Sequence, residues 1–508
     1  MPDIVLTTLN AKFIHAAFGL RYLFANLGGL RPHAAIAEFD INQRPLDIAE
    51  ALLAREPKII GLGIYIWNVV ETTEVIAVIK RVRPDIKIIL GGPEVSHETE
   101  GQEIVGLADH VITGEGDLRF AWVCRRILGG EPLPDKIIPA GVPDFSQVIL
   151  PYDYYTDADL AHRIVYVEAS RGCPFTCEFC LSALDIPVRQ VPLEMFLAAM
   201  QKLLDRGLKQ FKFVDRTFNL NLTTGRAILE FFLARHQPGN FHHFEMVPDR
   251  LPAELREVIA RFPPGALQFE VGVQTFNPEV GALISRRQDY GRMADNFKFL
   301  RGETSVHIHA DLIVGLPGET VESFGAGFDR LVALGPQEIQ VGILKRLRGT
   351  PIARHDAGWQ MAYGAHPPYE ILQNRLVDFA TMQRLRRFAK YWDLVGNSGN
   401  FIEITPLVWR DAAPFKNFMR LSDWLYGKIG RTDSIALARL MGLLFEFLTC
   451  ELALGPKAVA EIFWRDCQRA GHRDAPGFLK EFLPAGNRPA IRGRDRSLPR
   501  RQSRHLAA

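Results

Sequence analysis

The feature that most restricts this chain is a regular alternation of short apolar runs with helical ones, from the N-terminus to about residue 130. DIVLTTL (3–9), AAIAEFD (34–40), IIGLGIY (59–65), IKIILGG (86–92) and HVITGEG (110–116) read as strands, and amphipathic stretches such as VVETTEVIAVIKRV lie between them. Such alternation implies a parallel sheet covered by helices on both faces, a doubly wound α/β domain. Ligands of that architecture sit beyond the carboxyl ends of the strands, so the candidate ligand loops are 10–19, 65–72, 91–97 and 113–117. Their segments GLGIYIWN, GGPEVS and TGEGD are rich in small residues, as close backbone approach to a large ligand requires.

The alternation resumes downstream. Strands are expected at 163–170, 210–216, 242–248, 267–275, 306–315 and 338–345, separated by helical patterns such as PLEMFLAAMQKLLDRG. Six such units predict a partial (β/α)6 barrel whose site residues gather at the carboxyl ends of its strands. From 366 to 483 the pattern is helical and carries Tyr391, Trp392, Trp424 and Trp464. This region is read as a helical core, placed where it could also shield a reaction site from water. Its basic stretch RLRRFAKYW (384–392) is read as a solvated helix face. The expected organisation is therefore 1–135 sheet domain, 136–160 linker, 161–350 barrel, 366–483 helical domain and 485–508 tail.

Length and composition fit this division. A chain of 508 residues suggests two to four domains, and 47% hydrophobic with 23% charged residues reads as globular. The start MPDIVLTTLNAKF has no basic region before its apolar run, and IALARLMGLLFEFLTCELAL is broken by Arg439, Glu446 and Glu451, against a membrane span. A cytoplasmic location follows as the expectation, and there clustered cysteines bind metal or do redox chemistry more often than they form disulfides. The last 24 residues carry +6 against +2 for the whole chain. They show no apolar periodicity and are expected to be disordered.

Three of the six cysteines, Cys173, Cys177 and Cys180, stand within eight residues in C-x-x-x-C-x-x-C spacing. A closed structural zinc site needs four ligands. A four-iron cluster held by three thiolates instead leaves one iron open to an outside ligand. The alternative is zinc with a distant fourth ligand; Cys124, Cys450 and Cys467 are scattered and show no second half-site.

This spacing, with the aromatic Phe179 just before the last cysteine, resembles the radical S-adenosylmethionine (radical SAM) superfamily. The resemblance implies that S-adenosylmethionine binds the open iron and is cleaved to methionine and a 5′-deoxyadenosyl radical. Further residues match the branch that includes oxygen-independent coproporphyrinogen dehydrogenase: Glu245 in FEMVPD, Gln274 in GVQ, Arg286 in LISRRQD and Asp311 before GLPGET. With Phe179 they are the implied S-adenosylmethionine-binding set. The family's Gly-Gly-Glu segment appears here as VDRTFNLN, where Asp215 and Asn219 are expected to stand in.

The N-terminal loops, in their order, resemble the cobalamin-binding domain that precedes many radical SAM domains, which implies contacts from Asn10, Tyr65, Gly91, Gly92, Gly114 and Glu115. The Asp-x-His-x-x-Gly signature of better-known cobalamin domains is missing: His15 has no aspartate two residues earlier, and Gly19 follows it by four. Cobalt would then lack a lower histidine ligand, and His15 is read as a loop or packing residue.

The resemblance implies a cobalamin-dependent radical SAM methyltransferase acting on an unactivated carbon of a small-molecule substrate. It would use a [4Fe–4S] cluster, S-adenosylmethionine, cobalamin and an electron donor such as flavodoxin or ferredoxin. The alternatives are radical rearrangement or oxidation without methyl transfer, an RNA-modifying methylthiotransferase-like enzyme, and a non-catalytic redox centre. No small β-barrel for RNA is evident, which weighs against nucleic acid, and no residue is identified as the catalytic acid or base.

Overall fold

The computed structural model describes residues 1–185, 187–410, 412–483 and 499–506. The chain divides into two compact units: residues 1–216 with 345–353 and 364–370, and residues 217–344 with 354–363 and 371–508.

In the first unit the strands are β1 Ile4–Asn10, β2 Ala34–Asp40, β3 Ile59–Gly63, β4 Lys87–Gly91, β5 His110–Thr113 and β6 Ile137–Pro139. Among the described residues they form one parallel sheet in the order β2-β1-β3-β4-β5-β6. The helices α1 Phe18–Ala25, α2 Pro45–Leu53, α3 Val69–Val82, α4 Glu103–Leu107 and α5 Arg119–Leu128 cover it. Val5, Leu9, Ile60 and Leu62 pack with Ile48 of α2 and Val75, Ile76 and Ile79 of α3, while Ile4, Leu6 and Ile59 pack with Leu20 of α1 and Phe120 and Val123 of α5. The two clusters account for the doubly wound pattern: alternate residues of each strand serve opposite helix layers, so central strands are apolar on both faces.

The segment expected to be a linker, 136–160, is folded onto this unit. β6 extends the sheet, Tyr152 and Tyr155 are buried, and Asn26 brackets Ile149, donating to its carbonyl and accepting from its N–H. Buried Arg21 joins Glu38 and Asp159, both at 2.9 Å. The first unit also holds β7 Val165–Val167, the two-residue ribbon β8 Ser170–Arg171 with β9 Arg189–Gln190, and β10 Gln210–Phe213, which runs parallel to β7.

The second unit contains β11 Phe241–Met246, β12 Leu267–Gln274, β13 His307–Val314 and β14 Glu338–Ile343, a parallel ladder in that order. The ladder alternates along each strand. Phe269, Val271, Ile308, Ala310 and Leu312 are buried, whereas Glu270, Gly272, His309 and Asp311 on the other face are less so. The helical region packs onto helix Val321–Leu334, where Phe328 meets Phe388, Trp392 and Phe415. It also blunts the β14 edge. Asn397 accepts from the Ile339 N–H at 2.8 Å and donates to its carbonyl at 2.9 Å, satisfying an edge that would otherwise invite pairing.

The tail requires a correction. It was expected to be disordered over 485–508, but Arg500–Leu506 forms a helix; residues 484–498 and 507–508 lie outside the described residues. Arg501 bonds Glu338 at 3.0 Å and Asp393 at 2.8 Å, Gln502 donates to Gln268, Arg504 donates to the Ser398 carbonyl, and His505 packs edge-on against His307. Arg501 thus finds a buried acceptor, Glu338, at the amino end of β14. No helix of the described residues is long and apolar enough to cross a membrane.

Candidate active site

A cavity of about 780 Å³ opens at the carboxyl ends of β1, β3, β4 and β5, where a parallel sheet places its ligands. Asn10, Tyr65, Gly91, Gly92, Gly114 and Glu115 all line it. Tyr65 stacks on the half-exposed Trp67, with ring centroids 4.4 Å apart and planes 7° from parallel. Asn68 fixes this loop by accepting from the Tyr65 N–H and donating to the Leu9 and Gly63 carbonyls. At Gly92, φ is +109° and any Cβ would strike the Ile64 carbonyl, so the turn requires glycine. The wall built from Gly63, Gly91, Gly92, Gly114 and Gly116 is largely backbone, and it suits a large planar ligand such as a corrin.

His15 also borders the cavity, but its ring is committed: Nδ1 lies 2.6 Å from the Tyr166 hydroxyl, and the two rings stack. Burial, with Lys212, Lys12 and Arg163 nearby, lowers its pKa. That is the packing role read from the sequence.

Gly172, Ser182 and Asp185, on the segment that carries the three cysteines, line the same cavity. Cys173 and Cys177 are buried and Cys180 is partly exposed. The Cys173 N–H donates to the Asp185 carbonyl at 3.0 Å and the Cys180 N–H to the Cys177 carbonyl at 3.1 Å, while φ of +88° at Gly172 lets the chain pass close to Asp185. Three thiols on one compact, backbone-braced loop fit a cluster with one open iron better than a four-ligand zinc site.

A feature missed in the sequence surrounds this loop. Arg171 bonds Glu115 at 2.9 Å, Asp117 at 2.9 and 3.0 Å and Glu168 at 2.9 Å, and its guanidinium lies over the Tyr22 and Phe145 rings. Arg189, opposite Arg171 in the β8–β9 ribbon, bonds Glu115 at 3.0 Å and Asp185 at 2.7 Å. Burial opposes the charge on Glu115, but Arg189 and Arg171 outweigh it and hold the carboxyl below its ordinary value. Glu115 thus lines the cavity while its carboxylate is shared by two arginines. Only the position of Arg171, two residues before Cys173, hinted at this.

Of the expected S-adenosylmethionine set, Phe179 is partly buried on the cysteine loop. Asp215, 2% exposed, accepts from the Ser170 hydroxyl at 2.6 Å and the Ala169 N–H at 3.0 Å, bracing the chain ahead of the cysteines. Burial pushes its pKa up to about 7. Asn219 similarly brackets a loop of the second unit, donating to the Val247 carbonyl and accepting from the Val247 N–H.

In the second unit, Gln274, Arg286 and Asp311 converge on Gly272. Arg286 donates to the Gly272 carbonyl, and Asp311 stands opposite Gly272 in register. A Cβ at Gly272 would meet the Gln274 amide at 2.6 Å and the Arg286 guanidinium at 3.6 Å. The register shifts between Gly272 and Gln274, and Gln274 has φ of +70°, an irregularity typical of strands re-aimed at a site. Glu245 lies opposite Glu270, which lies opposite His309. This strand face therefore joins carboxylates, an amide and a guanidinium, the donors and acceptors that ribose hydroxyls and an amino-acid moiety need.

Comparison with known proteins agrees with this layout. Residues 4–123 match the B12 binding domain, 167–331 the Radical SAM superfamily and 357–488 a domain described as a protein of unknown function. An uncharacterised methyltransferase of Pyrococcus horikoshii is 23% identical over 308 residues, covering 55% of this chain and 65% of its own. The cobalamin-dependent radical SAM methyltransferase TokK of Streptomyces tokunonensis is 23% identical over 341 residues, covering 57% of this chain and 47% of its own. The chain thus spans less than two thirds of either curated relative. The solved structure of the cobalamin-dependent S-adenosylmethionine radical enzyme OxsB with aqua-cobalamin bound shares the fold, with a TM-score of 0.62 at 14% identity over 95% of this chain and 84% of that one.

Proposed function

Because the chain is a radical SAM protein with an N-terminal B12-binding domain, we propose that it is a cobalamin-dependent radical SAM methyltransferase. The observation that carries this reading is the shared cavity: all six residues expected to contact cobalamin line it, together with Gly172, Ser182 and Asp185 of the cysteine segment. When bound, the cluster with S-adenosylmethionine supplies a carbon radical able to abstract hydrogen, and cobalamin supplies a methyl group.

The chain's own part is to bind, orient and exclude water. Cys173, Cys177 and Cys180 would hold the cluster, and three protein ligands would keep one iron open for S-adenosylmethionine. Within the second unit, Gln274, Arg286, Asp311 and Glu245 offer the donors and acceptors that the ribose hydroxyls and amino-acid group of S-adenosylmethionine need. Asp215 braces the approach to the cysteines through Ser170 and Ala169. The glycine wall, Asn10 and Tyr65 would receive the corrin, and Tyr166 holds the His15 ring at the border of the same cavity. The substrate is a small molecule, the setting is a reducing cytoplasm, and a flavodoxin or ferredoxin delivers the electron.

The test is anaerobic reconstitution with iron, sulfide and hydroxocobalamin, followed by S-adenosylmethionine and dithionite. The account expects 5′-deoxyadenosine, reduced to background when Cys173, Cys177 and Cys180 are all replaced by alanine. With a substrate, it expects a product heavier by one methyl group. A product of unchanged mass would favour rearrangement instead.

A further inference from the structure

Arg171, Arg189 and Glu115 form a bridge between the two cofactor regions of the first unit. Glu115 belongs to the loop after β5 and borders the cavity expected to hold cobalamin. Its carboxylate is bonded by Arg171, two residues before the first cluster cysteine, and by Arg189, across the ribbon from Arg171. Arg189 also grips the Asp185 carboxylate, and the Asp185 carbonyl receives the Cys173 N–H. An unbroken path therefore runs from the cavity wall to a cluster ligand: Glu115, Arg189, Asp185, Cys173. The charged side chains along it are mostly buried, Arg189 16%, Glu115 20% and Asp185 33% exposed, so the Arg189–Glu115 attraction is screened less than a surface pair and the Arg189–Asp185 one more.

We propose that this bridge couples the two sites thermodynamically, so that a loaded cluster loop raises the affinity of the cavity for cobalamin and bound cobalamin raises that of the loop for its cluster. The inference rests on the cobalamin reading above. Its physical basis is a shared partner: Glu115 on the cavity wall and Asp185 on the cysteine segment hold the same Arg189 guanidinium, so a ligand that repositions one carboxylate biases the other through that arginine. The coupling acts on binding free energies and is reciprocal. Arg171 and Arg189 are positioning residues here.

The experiment measures the dissociation constant of hydroxocobalamin by equilibrium dialysis for cluster-reconstituted and chelator-stripped protein. It uses the wild type, Arg189→Gln and Arg189→Lys, with Glu115→Gln as a second break in the path. In each variant Arg171 keeps Asp117 and Glu168, and circular dichroism checks the fold. The expected result is roughly 5–10-fold tighter binding to the loaded wild type, within the usual range of coupling. The ratio should fall towards one in Arg189→Gln and Glu115→Gln, with partial recovery in Arg189→Lys. A wild-type ratio of one, or an undiminished ratio in Arg189→Gln, overturns the proposal. Absence of binding in both states overturns the cobalamin reading, and the proposal with it; binding with equal affinity removes the coupling alone.

Discussion

In the first unit, Arg171 and Arg189 lie among four carboxylates, Glu115, Asp117, Glu168 and Asp185, on loops that border a cavity. In the second unit, Glu338 is held between His307 and Arg501, where the C-terminal helix covers the amino ends of the strands. Both groups are buried charge, but they join different things. The first ties together loops at the carboxyl ends of strands, where parallel sheets place ligands, and leaves carboxylates in excess. The second fastens a terminal helix at the opposite strand ends, with Arg501 shared by Glu338 and Asp393. Buried ion pairs alone do not mark a site; their position on the fold does.

The largest effect expected from breaking this contrast is on stability. Arg171→Ala strands Asp117 and Glu168, each 7% exposed, and should cost about 3–5 kcal/mol, the usual penalty for removing one partner of a buried pair. Arg501→Ala removes a side chain that is 39% exposed and leaves Glu338 with His307, so roughly 1 kcal/mol is expected after allowance for solvent screening. Urea unfolding of both variants checks the order; equal losses would erase the distinction.

An effect opposite in sign between the units appears with pH. Burial raises Asp215 to about 7, so its folded form holds the proton more tightly. That contribution is present below the unfolded value near 3.8 and is lost as pH rises towards 7, by at most about 1.4 kcal/mol per unit. Burial disfavours the charge on Glu338 too, but the His307 hydrogen bond and the charges of His307, His309 and Arg501 bring it to about 2. Its contribution is present above 4.5 and is lost as pH falls towards 2. Asp215→Asn should flatten the stability profile between pH 4 and 7, and Glu338→Gln between pH 4.5 and 2. Thermal melts across pH check both, and matching slopes before and after substitution would contradict the assignment.

Much of this was legible in the sequence because it rests on periodicity. Strands expected at 59–65, 267–275 and 306–315 occur at Ile59–Gly63, Leu267–Gln274 and His307–Val314, since apolar runs bounded by glycine leave few other solutions. The cavity residues followed from the rule about strand ends. What escaped was decided by side-chain direction and tertiary partners. Asp215 follows a strand as a ligand residue would, yet it turns back to Ser170 and Ala169. RRQSRHL has no apolar face, and its helix exists where Glu338, Asp393 and Gln268 meet it. β6 is only three residues long, too short to stand out within a segment read as linker.

The most direct test of the account is to count both cofactors in one anaerobic preparation, wild type against Gly91→Leu. Gly91 lines the cavity, and its Cβ position is 3.6 Å from the Ile112 carbonyl, so a side chain there fills the cavity without a backbone clash. The account predicts one corrinoid and one four-iron cluster per wild-type chain, and loss of the corrinoid with retention of the cluster in Gly91→Leu. A wild type that keeps its cluster but no corrinoid, or a variant that binds corrinoid as before, would contradict it.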